Sequence, residues 1–105
     1  MKTSQTPLDK SAAFNVSKNA QSPFQIGSAY FIRTVTFHLT GRVAAIVGGF
    51  LVLESAAWIA DSGRFMQAIQ DGVLNEVEPC GDAVVNIASI TDAFIWKHDL
   101  PVKQQ

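Results

Sequence analysis

The chain has 105 residues, of which 48% are apolar, and its 8 basic side chains nearly balance 9 acidic ones. A chain of this length makes one domain with a modest core, at a size where association with a partner often supplies further burial. The charge balance excludes the strongly basic surface typical of nucleic-acid binders, and the single cysteine, Cys80, excludes an internal disulfide. No apolar run precedes the 30s, so we expect no secretory signal or transit helix, and cytoplasmic synthesis is the default.

Residues 1–26 are predicted to form an extended, polar N-terminal arm. Residues 1–22 carry three lysines and one aspartate, a net charge of +2, whereas residues 23–105 carry five bases and eight acids, a net charge of −3. The few apolar side chains of the arm bury too little surface to offset the entropy lost when such a segment is ordered. The arm is therefore expected either to stay mobile or to be held by a partner, with Phe14 and Phe24 as its anchors.

The segment 30–39 has the two-residue period of a β-strand. Apolar side chains occupy alternate positions on one face: Phe31, Val35, Phe37 and Leu39. Tyrosine, threonine and histidine occupy the other face, and most of these residue types favour strands. We expect one strand over this segment.

The most apolar stretch, residues 43–60, contains the single charge Glu54 and reaches about 18 residues, the lower limit for a membrane-spanning helix. Gly48 and Gly49 at its centre instead favour the two-residue turn of a β-hairpin, and the membrane span is the alternative. The predicted pairs are Val47 with Phe50, Ala45 with Val52, and Val43 with Glu54. Because both faces of this hairpin are apolar, we expect it to self-associate through Phe50, Leu51 and Leu53.

One short amphipathic helix is predicted next. Residues 61–63 (Asp-Ser-Gly) offer an N-cap, and Gly72 ends the helix. Its predicted apolar face consists of Phe65, Met66 and Ile69.

Two or three further strands follow the helix. Residues 73–78 alternate in polarity, Pro79 is expected to stop that strand, and Gly81 with Asp82 forms a turn into the last apolar segments. The whole pattern predicts a mainly β fold, a small antiparallel barrel or rolled sheet with one short helix. Its domain spans residues 27–101, and residues 102–105 form a C-terminal tail with little to pack.

Candidate catalytic and metal-binding residues are sparse. His38, Cys80, His98 and Asp99 have no spacing that suits a metal site, so we expect no metal and no cofactor. No nucleophile, base and orienting group can be assembled, and we expect that the protein is not an enzyme. Glu76 and Glu78 share one face of a strand, which fits paired carboxylates, but a solvated strand face is the simpler interpretation.

Arginines and tryptophans form a second candidate set. Arginine binds anions in a bidentate manner and aromatic rings stack on bases, so the set could hold a nucleotide: Arg33, Arg42, Arg64, Trp58 and Trp96. The alternative is that both tryptophans fill the core or an interface, and that Arg33 pairs with Glu54 or Asp92.

Four blocks of the sequence carry a resemblance: YFIRTVTFHLTGRV, FLVLESAAWIADSGRF, LNEVEP and ITDAFIWKHDLP. Over residues 27–101 the chain resembles small uncharacterised β-rich proteins encoded in tailed-bacteriophage genomes. The resemblance implies a compact β domain in a phage setting, located in the virion or the host cytoplasm, and it transfers no site residues.

Two functions follow from these expectations. The first is a non-enzymatic structural subunit, a capsid decoration or cement protein that oligomerises and contacts neighbours in a phage shell through its arm. The alternative is an anti-defence protein that sequesters a signalling nucleotide at a subunit interface through the arginine and tryptophan set. Neither requires nucleic acid or a membrane as a partner.

Overall fold

The structure is a computed structural model that describes residues 22–105, which form one five-stranded antiparallel sheet and one α-helix. The elements in chain order are β1 (Ala29–Thr34), β2 (His38–Val47), β3 (Phe50–Asp61), α1 (Phe65–Asp71), β4 (Glu76–Asn86) and β5 (Ile90–Ile95). A 3₁₀ turn, Ile87–Ser89, joins the last two strands. The predicted mainly β fold with one short helix is confirmed. The sheet is not closed into a barrel, because β4 and β5 are its two edges in the order β4-β3-β2-β1-β5.

The sheet is strongly curled, as the connection between its two edges requires. In a flat sheet of five strands the outer strands would lie about 19 Å apart, at about 4.8 Å per strand. The step from Asn86 at the end of β4 to Ile90 at the start of β5 spans at most about 14 Å of extended chain. The sheet must therefore bend toward itself, and this bend creates an enclosed face and an outer face.

Two apolar clusters stabilise the domain from opposite faces of the sheet. The inner core lies on the enclosed face and consists of Phe24, Tyr30, Ile32, Leu39, Val43, Leu51, Leu53, Ala56 and Val85. The helix core lies between the sheet and α1 and consists of Ala29, Phe31, Ala57, Ile59, Ala68, Leu74, Val77 and Trp96. Neighbouring residues of β1 thus contribute to different clusters, since successive side chains of a strand point to opposite faces.

Strands β2 and β3 form the predicted hairpin across Gly48 and Gly49. The pairs Val47 with Phe50 and Ala45 with Val52 are observed as predicted. The third predicted pair is wrong: register shifts pair Val43 with Leu53, and Glu54 with Arg42. Gly48 has a φ of 57°, a left-handed conformation that glycine adopts without steric cost. In the described part of the chain no helix has the length and hydropathy to span a membrane.

The predicted single strand over residues 30–39 is wrong, because the chain turns between Thr34 and His38. The Thr34 side chain builds this turn. Its hydroxyl donates to the Phe37 carbonyl at 2.9 Å and accepts from the Phe37 backbone N–H at 3.1 Å. Val35 and Phe37, which the strand period placed on an apolar face, are consequently exposed on the turn.

The helix buries fewer of its apolar side chains than predicted. It begins after Arg64, whose side chain makes no capping hydrogen bond, and ends at Gly72 in the left-handed conformation, as predicted. Ala68 is its buried residue, whereas Met66, predicted to face the core, is exposed. The Asp61 carboxylate accepts a hydrogen bond from the Gly63 backbone N–H at 2.8 Å and so shapes the loop before the helix.

Strand β4 continues through Pro79, so the predicted stop at this residue is wrong. Proline lacks an N–H donor, but an edge strand needs donors on only one side and tolerates it. The tail also contributes structure: Gln105 and Val77 exchange two backbone hydrogen bonds of 2.9 Å, which extends the sheet at this edge.

The described residues begin within the predicted arm. Phe24 belongs to the inner core and contacts Tyr30 edge-on, with ring centroids 5.1 Å apart. Phe14, the other predicted anchor, lies outside the described residues.

Candidate functional site

Arg33, the first member of the predicted nucleotide-binding set, is held by Asp92 on the neighbouring strand. Its Nε and Nη2 atoms donate to the two carboxylate oxygens of Asp92 at 2.7 and 2.6 Å. Its guanidinium carbon lies 4.3 Å from the ring centroid of Phe65 and 5.4 Å from that of Phe94. This arrangement agrees with the alternative interpretation, in which Arg33 pairs with a carboxylate.

The contact between Arg33 and Asp92 shifts the pKa of each partner in the direction that favours its charged form. The hydrogen bond from Arg33 lowers the pKa of the Asp92 carboxyl, burial opposes that shift, and the charges of Arg33 and His38 reinforce it. The same hydrogen bond raises the pKa of Arg33. The side chains are 32% and 36% exposed, so water moderates the attraction between them.

Other members of the set are engaged within the domain or lie at the start of the helix. Trp96 is buried in the helix core, stacked on Phe31 with centroids 5.9 Å apart. Arg42 donates to the Gly27 carbonyl at 2.9 Å, and Arg64 precedes the helix. Two surface depressions in the described part of the chain are lined without an arginine. Arg33, Arg42 and Trp96 are therefore each engaged by other residues of the domain.

Most of the predicted partner-binding residues serve the core instead. Leu51 and Leu53 are 0% exposed and Phe24 is 9% exposed, and all three pack in the inner core. The curled sheet therefore covers that face of the hairpin, and these three side chains contribute to the core of the described domain. Phe50 points the other way and is 47% exposed.

The exposed apolar surface around Phe50 is the first candidate site, which we name the hairpin face. It comprises Val47, Phe50, Val52 and Val84 on three adjacent strands. Val47 pairs with Phe50 and Val52 pairs with Val84, and residues opposite one another in a sheet point to the same side. Val47 and Val84 are 60% and 65% exposed. Val84 was not among the predicted site residues, because the sequence places two valines side by side at 84 and 85 and does not show which of them is exposed.

The hairpin face has the size of a functional patch. Its exposed side chains present on the order of 300 Å² of apolar surface, which is the range of the largest patch on a typical monomer. The charged pair Arg42 and Glu54 lies beyond it along the same two strands, and no charged side chain pairs within it. An apolar centre with polar surroundings is the usual arrangement of a protein interface.

A second candidate, which we name the Trp58 surface, lies at the opposite end of β3. It comprises Phe37, Trp58, Ala60, Glu76 and Glu78. Trp58 is 45% exposed, and it pairs with Leu39 on one side and Glu78 on the other. A depression of about 160 Å³ lies between Phe37 and Trp58 and reaches Ala60. A larger one of about 430 Å³ continues from Ala60 to Glu76 and Glu78.

The two surfaces lie on opposite faces of β3. Trp58 pairs with Leu39 of the inner core and so shares the enclosed side of the sheet. Phe50 precedes Leu51, another inner-core residue, and therefore points to the outer side. A register shift between Leu53 and Ala56 reverses the alternation, with Ser55 at a φ of 51°. One strand thus presents apolar side chains in two directions.

The candidate metal residues do not cluster. Within residues 22–105 no group of three or more His, Cys, Asp or Glu side chains is arranged to hold a metal ion. A ring nitrogen of His98 lies 2.8 Å from the Ile69 carbonyl oxygen, and Cys80 is exposed on β4.

Comparisons of this chain with protein-family models, with curated proteins and with solved structures find no match. The functional inference therefore depends on the two surfaces themselves.

Proposed function

We propose that this protein is a non-enzymatic assembly subunit that associates with copies of itself and attaches to a larger protein shell. A capsid decoration or cement protein of a tailed phage is the specific form of this proposal. The observation that carries it is the hairpin face, where apolar side chains from three adjacent strands stand exposed on one side of the sheet.

The residue types of the hairpin face favour its burial against another protein surface. Aromatic and branched apolar side chains gain about 25 cal/mol for each Å² removed from water. A soluble monomer under no other constraint would place polar side chains at these alternating positions, as antiparallel sheets with one solvated face do. The chain instead places Val47, Phe50 and Val84 there.

The hairpin face also suits contact with an identical copy. A two-fold interface brings one patch onto itself, so a patch whose centre carries no charge avoids repulsion between like charges. A stable dimer buries about 800 Å² on each partner. The hairpin face supplies under half of that area, and the remainder would come from its polar surroundings and from the N-terminal arm.

The phage context rests on the resemblance of residues 27–101 to phage-encoded β proteins. The nucleotide-sequestering alternative has less support, since Arg33 is engaged by Asp92 and Trp96 is buried.

Sedimentation velocity with the full chain tests the self-association. We expect the wild type to sediment as an oligomer at micromolar concentration and the Phe50→Asp variant to sediment as a monomer, because a carboxylate would be desolvated at the centre of the contact. Val84→Asp on the adjacent strand should act in the same way. Val102→Asp is the matched control: Val102 is also exposed but lies in the C-terminal segment away from the hairpin face, and its variant should remain oligomeric.

Circular dichroism would establish that each variant is folded. A wild type that stays monomeric at 100 µM would overturn the self-association. Mass spectrometry of purified virions from a phage that encodes this chain tests the second half of the proposal. Its absence from those virions would refute a decoration or cement role.

A further inference from the structure

The Trp58 surface combines exposed aromatic rings with carboxylates. Trp58 and Phe37 line one depression, and Glu76 and Glu78 line the next, which shares Ala60 with the first. Glu78 is paired directly with Trp58 across the two strands, so both side chains lie on one side of the sheet. Such a surface accepts a side chain that has an apolar stem and a positive end.

The carboxylates at this surface are not neutralised by the described part of the chain. The ion pair that the structure describes is Arg33–Asp92, and it involves neither Glu76 nor Glu78. Strand β4 carries these two glutamates and Asp82 but no basic residue. Lys103 lies in the segment that ends at this edge, and it forms no ion pair with either glutamate. The surface thus has unbalanced negative charge beside its aromatic rings.

Building on the proposed function, we propose that the Trp58 surface receives the N-terminal arm, residues 1–21, of a neighbouring copy. The arm has the complementary charge, since residues 1–22 have three lysines and one aspartate while the rest of the chain has a net charge of −3. In the sequence, Phe14 lies midway between Lys10 and Lys18, four residues from each.

The chemistry of each contact is specific. Phe14 fits the depression between Phe37 and Trp58, where aromatic rings meet edge-to-face or offset. A lysine stem covers the indole of Trp58 while its ammonium group reaches Glu78, and the indole face adds a cation–π attraction. Opposite charges at the edge of a contact speed encounter and fix the register of the bound segment.

The length of the arm allows it to reach a neighbour. Twenty-one residues span up to about 70 Å when extended, at about 3.3 Å per residue. The described domain measures 43 × 31 × 21 Å. An arm that crosses to the next copy is held at high effective concentration once the hairpin faces associate, so a weak contact at the Trp58 surface becomes occupied.

Photo-crosslinking of the full chain tests this proposal. Phe14 is replaced by p-benzoyl-phenylalanine, and light protein is mixed with an equal amount of ¹⁵N-labelled protein before irradiation. We expect crosslinks between light and heavy chains, with the acceptor in the Phe37 or Trp58 peptide. Crosslinks confined to single chains, crosslinks to other strands, or none at all would overturn the proposal.

Charge variants sharpen the result. Glu76→Gln combined with Glu78→Gln should lower the yield of these crosslinks at least fivefold, and the effect should weaken as salt is raised. Asp82→Asn, which removes an exposed acid from the same strand outside the Trp58 surface, is the matched control and should leave the yield unchanged. If the double glutamine variant retains the full yield, the charge complementarity is refuted.

This test separates the two proposals. If the wild type is oligomeric in sedimentation but Phe14 crosslinks elsewhere, the arm proposal fails and self-association stands. If the wild type is monomeric at 100 µM, the proposed function fails directly. Intermolecular crosslinks to Trp58 at higher concentration would then still support the arm contact.

Discussion

The Arg33–Asp92 pair gives the sharpest quantitative test of the structure, through a double-mutant cycle. Arg33→Met keeps an unbranched stem against Phe65 and removes the charge, and Asp92→Asn keeps the shape of the carboxylate and removes its charge. If the pair is formed as observed, with two hydrogen bonds of 2.7 and 2.6 Å, the two substitutions must be coupled.

The exposure and geometry of the pair set the expected loss of stability and the expected coupling energy. Ion pairs at the surface contribute about 0.2 to 1 kcal/mol, and the bidentate arrangement with one-third exposed side chains places this pair near the upper end. The guanidinium over Phe65 adds about 0.5 to 1 kcal/mol. We therefore expect Arg33→Met to cost about 1.5 kcal/mol and the coupling energy to be about 0.5 to 1 kcal/mol, because the ring contact does not involve Asp92.

Urea denaturation of the four proteins, followed by circular dichroism, measures these values. A coupling energy of zero, with Arg33→Met no less stable than the wild type, would refute the pairing and return Arg33 to the ligand-binding alternative. Sequestration of a nucleotide predicts the opposite pattern, in which Arg33→Met loses ligand affinity without loss of stability.

The pH dependence of the same cycle follows from the lowered pKa of Asp92. A group with a lowered folded pKa contributes stability in full above its unfolded pKa, about 4 for aspartate. That contribution decreases as the pH falls from there through the folded pKa of Asp92. The coupling energy should therefore be constant from pH 8 to pH 6 and decline below about pH 4, and a coupling that grows on acidification would contradict this sign.

Three further changes test the fold. Gly48→Ala should cost about 1 kcal/mol because Gly48 has a positive φ, whereas Gly49→Ala in the same turn should be near neutral in a thermal melt. Thr40→Val should be neutral or stabilising, since the buried Thr40 hydroxyl has no hydrogen-bond partner among the described residues; a loss above 1 kcal/mol would reveal one. Leu51→Ala should cost about 2 to 5 kcal/mol in urea denaturation, because Leu51 is fully buried in the inner core.

The hairpin and its glycine turn were predictable because both signals are local. Gly48 and Gly49 between two apolar runs determine the turn, and the pairs Val47 with Phe50 and Ala45 with Val52 follow from it by counting. The count fails between Ala45 and Val43, where β2 advances by two residues and β3 by one, so that Val43 pairs with Leu53 and not with Glu54. A β-bulge adds a residue to one strand only, and the polarity pattern of that strand alone does not reveal it.

The strand boundaries failed for a related reason. Thr34 favours strands by residue type, yet its hydroxyl bonds to the Phe37 backbone and turns the chain. A threonine hydroxyl can hydrogen-bond to the nearby backbone and so stabilise a turn in place of a continued strand. Whether the strand or the turn forms depends on which neighbouring strand is available for pairing. Pro79 shows the converse case: a strand breaker is tolerated because β4 turned out to be an edge.

The sequence predicted the apolar character of the hairpin but not which of its side chains would be exposed. The sequence showed that both faces of the hairpin were apolar, but it did not show which face the domain itself would cover. That depends on the curl of the whole sheet, which encloses Leu51 and Leu53 and leaves Phe50 outside. Likewise Trp58 and Trp96 were equivalent as residue types, and packing against α1 buried one while the other stayed half exposed.

The positions of the two surfaces constrain any assembly that uses both. The hairpin face can meet its own copy across a two-fold axis, because that contact joins like to like. An arm that leaves one copy and enters the Trp58 surface of another joins two unlike surfaces. Such contacts form a closed assembly only when two copies exchange arms or when several copies form a ring. Since Phe50 and Trp58 lie on opposite faces of β3, one copy can make both contacts at once. Reciprocal exchange across the two-fold axis would give a closed dimer, whereas onward donation of arms would link dimers into a lattice.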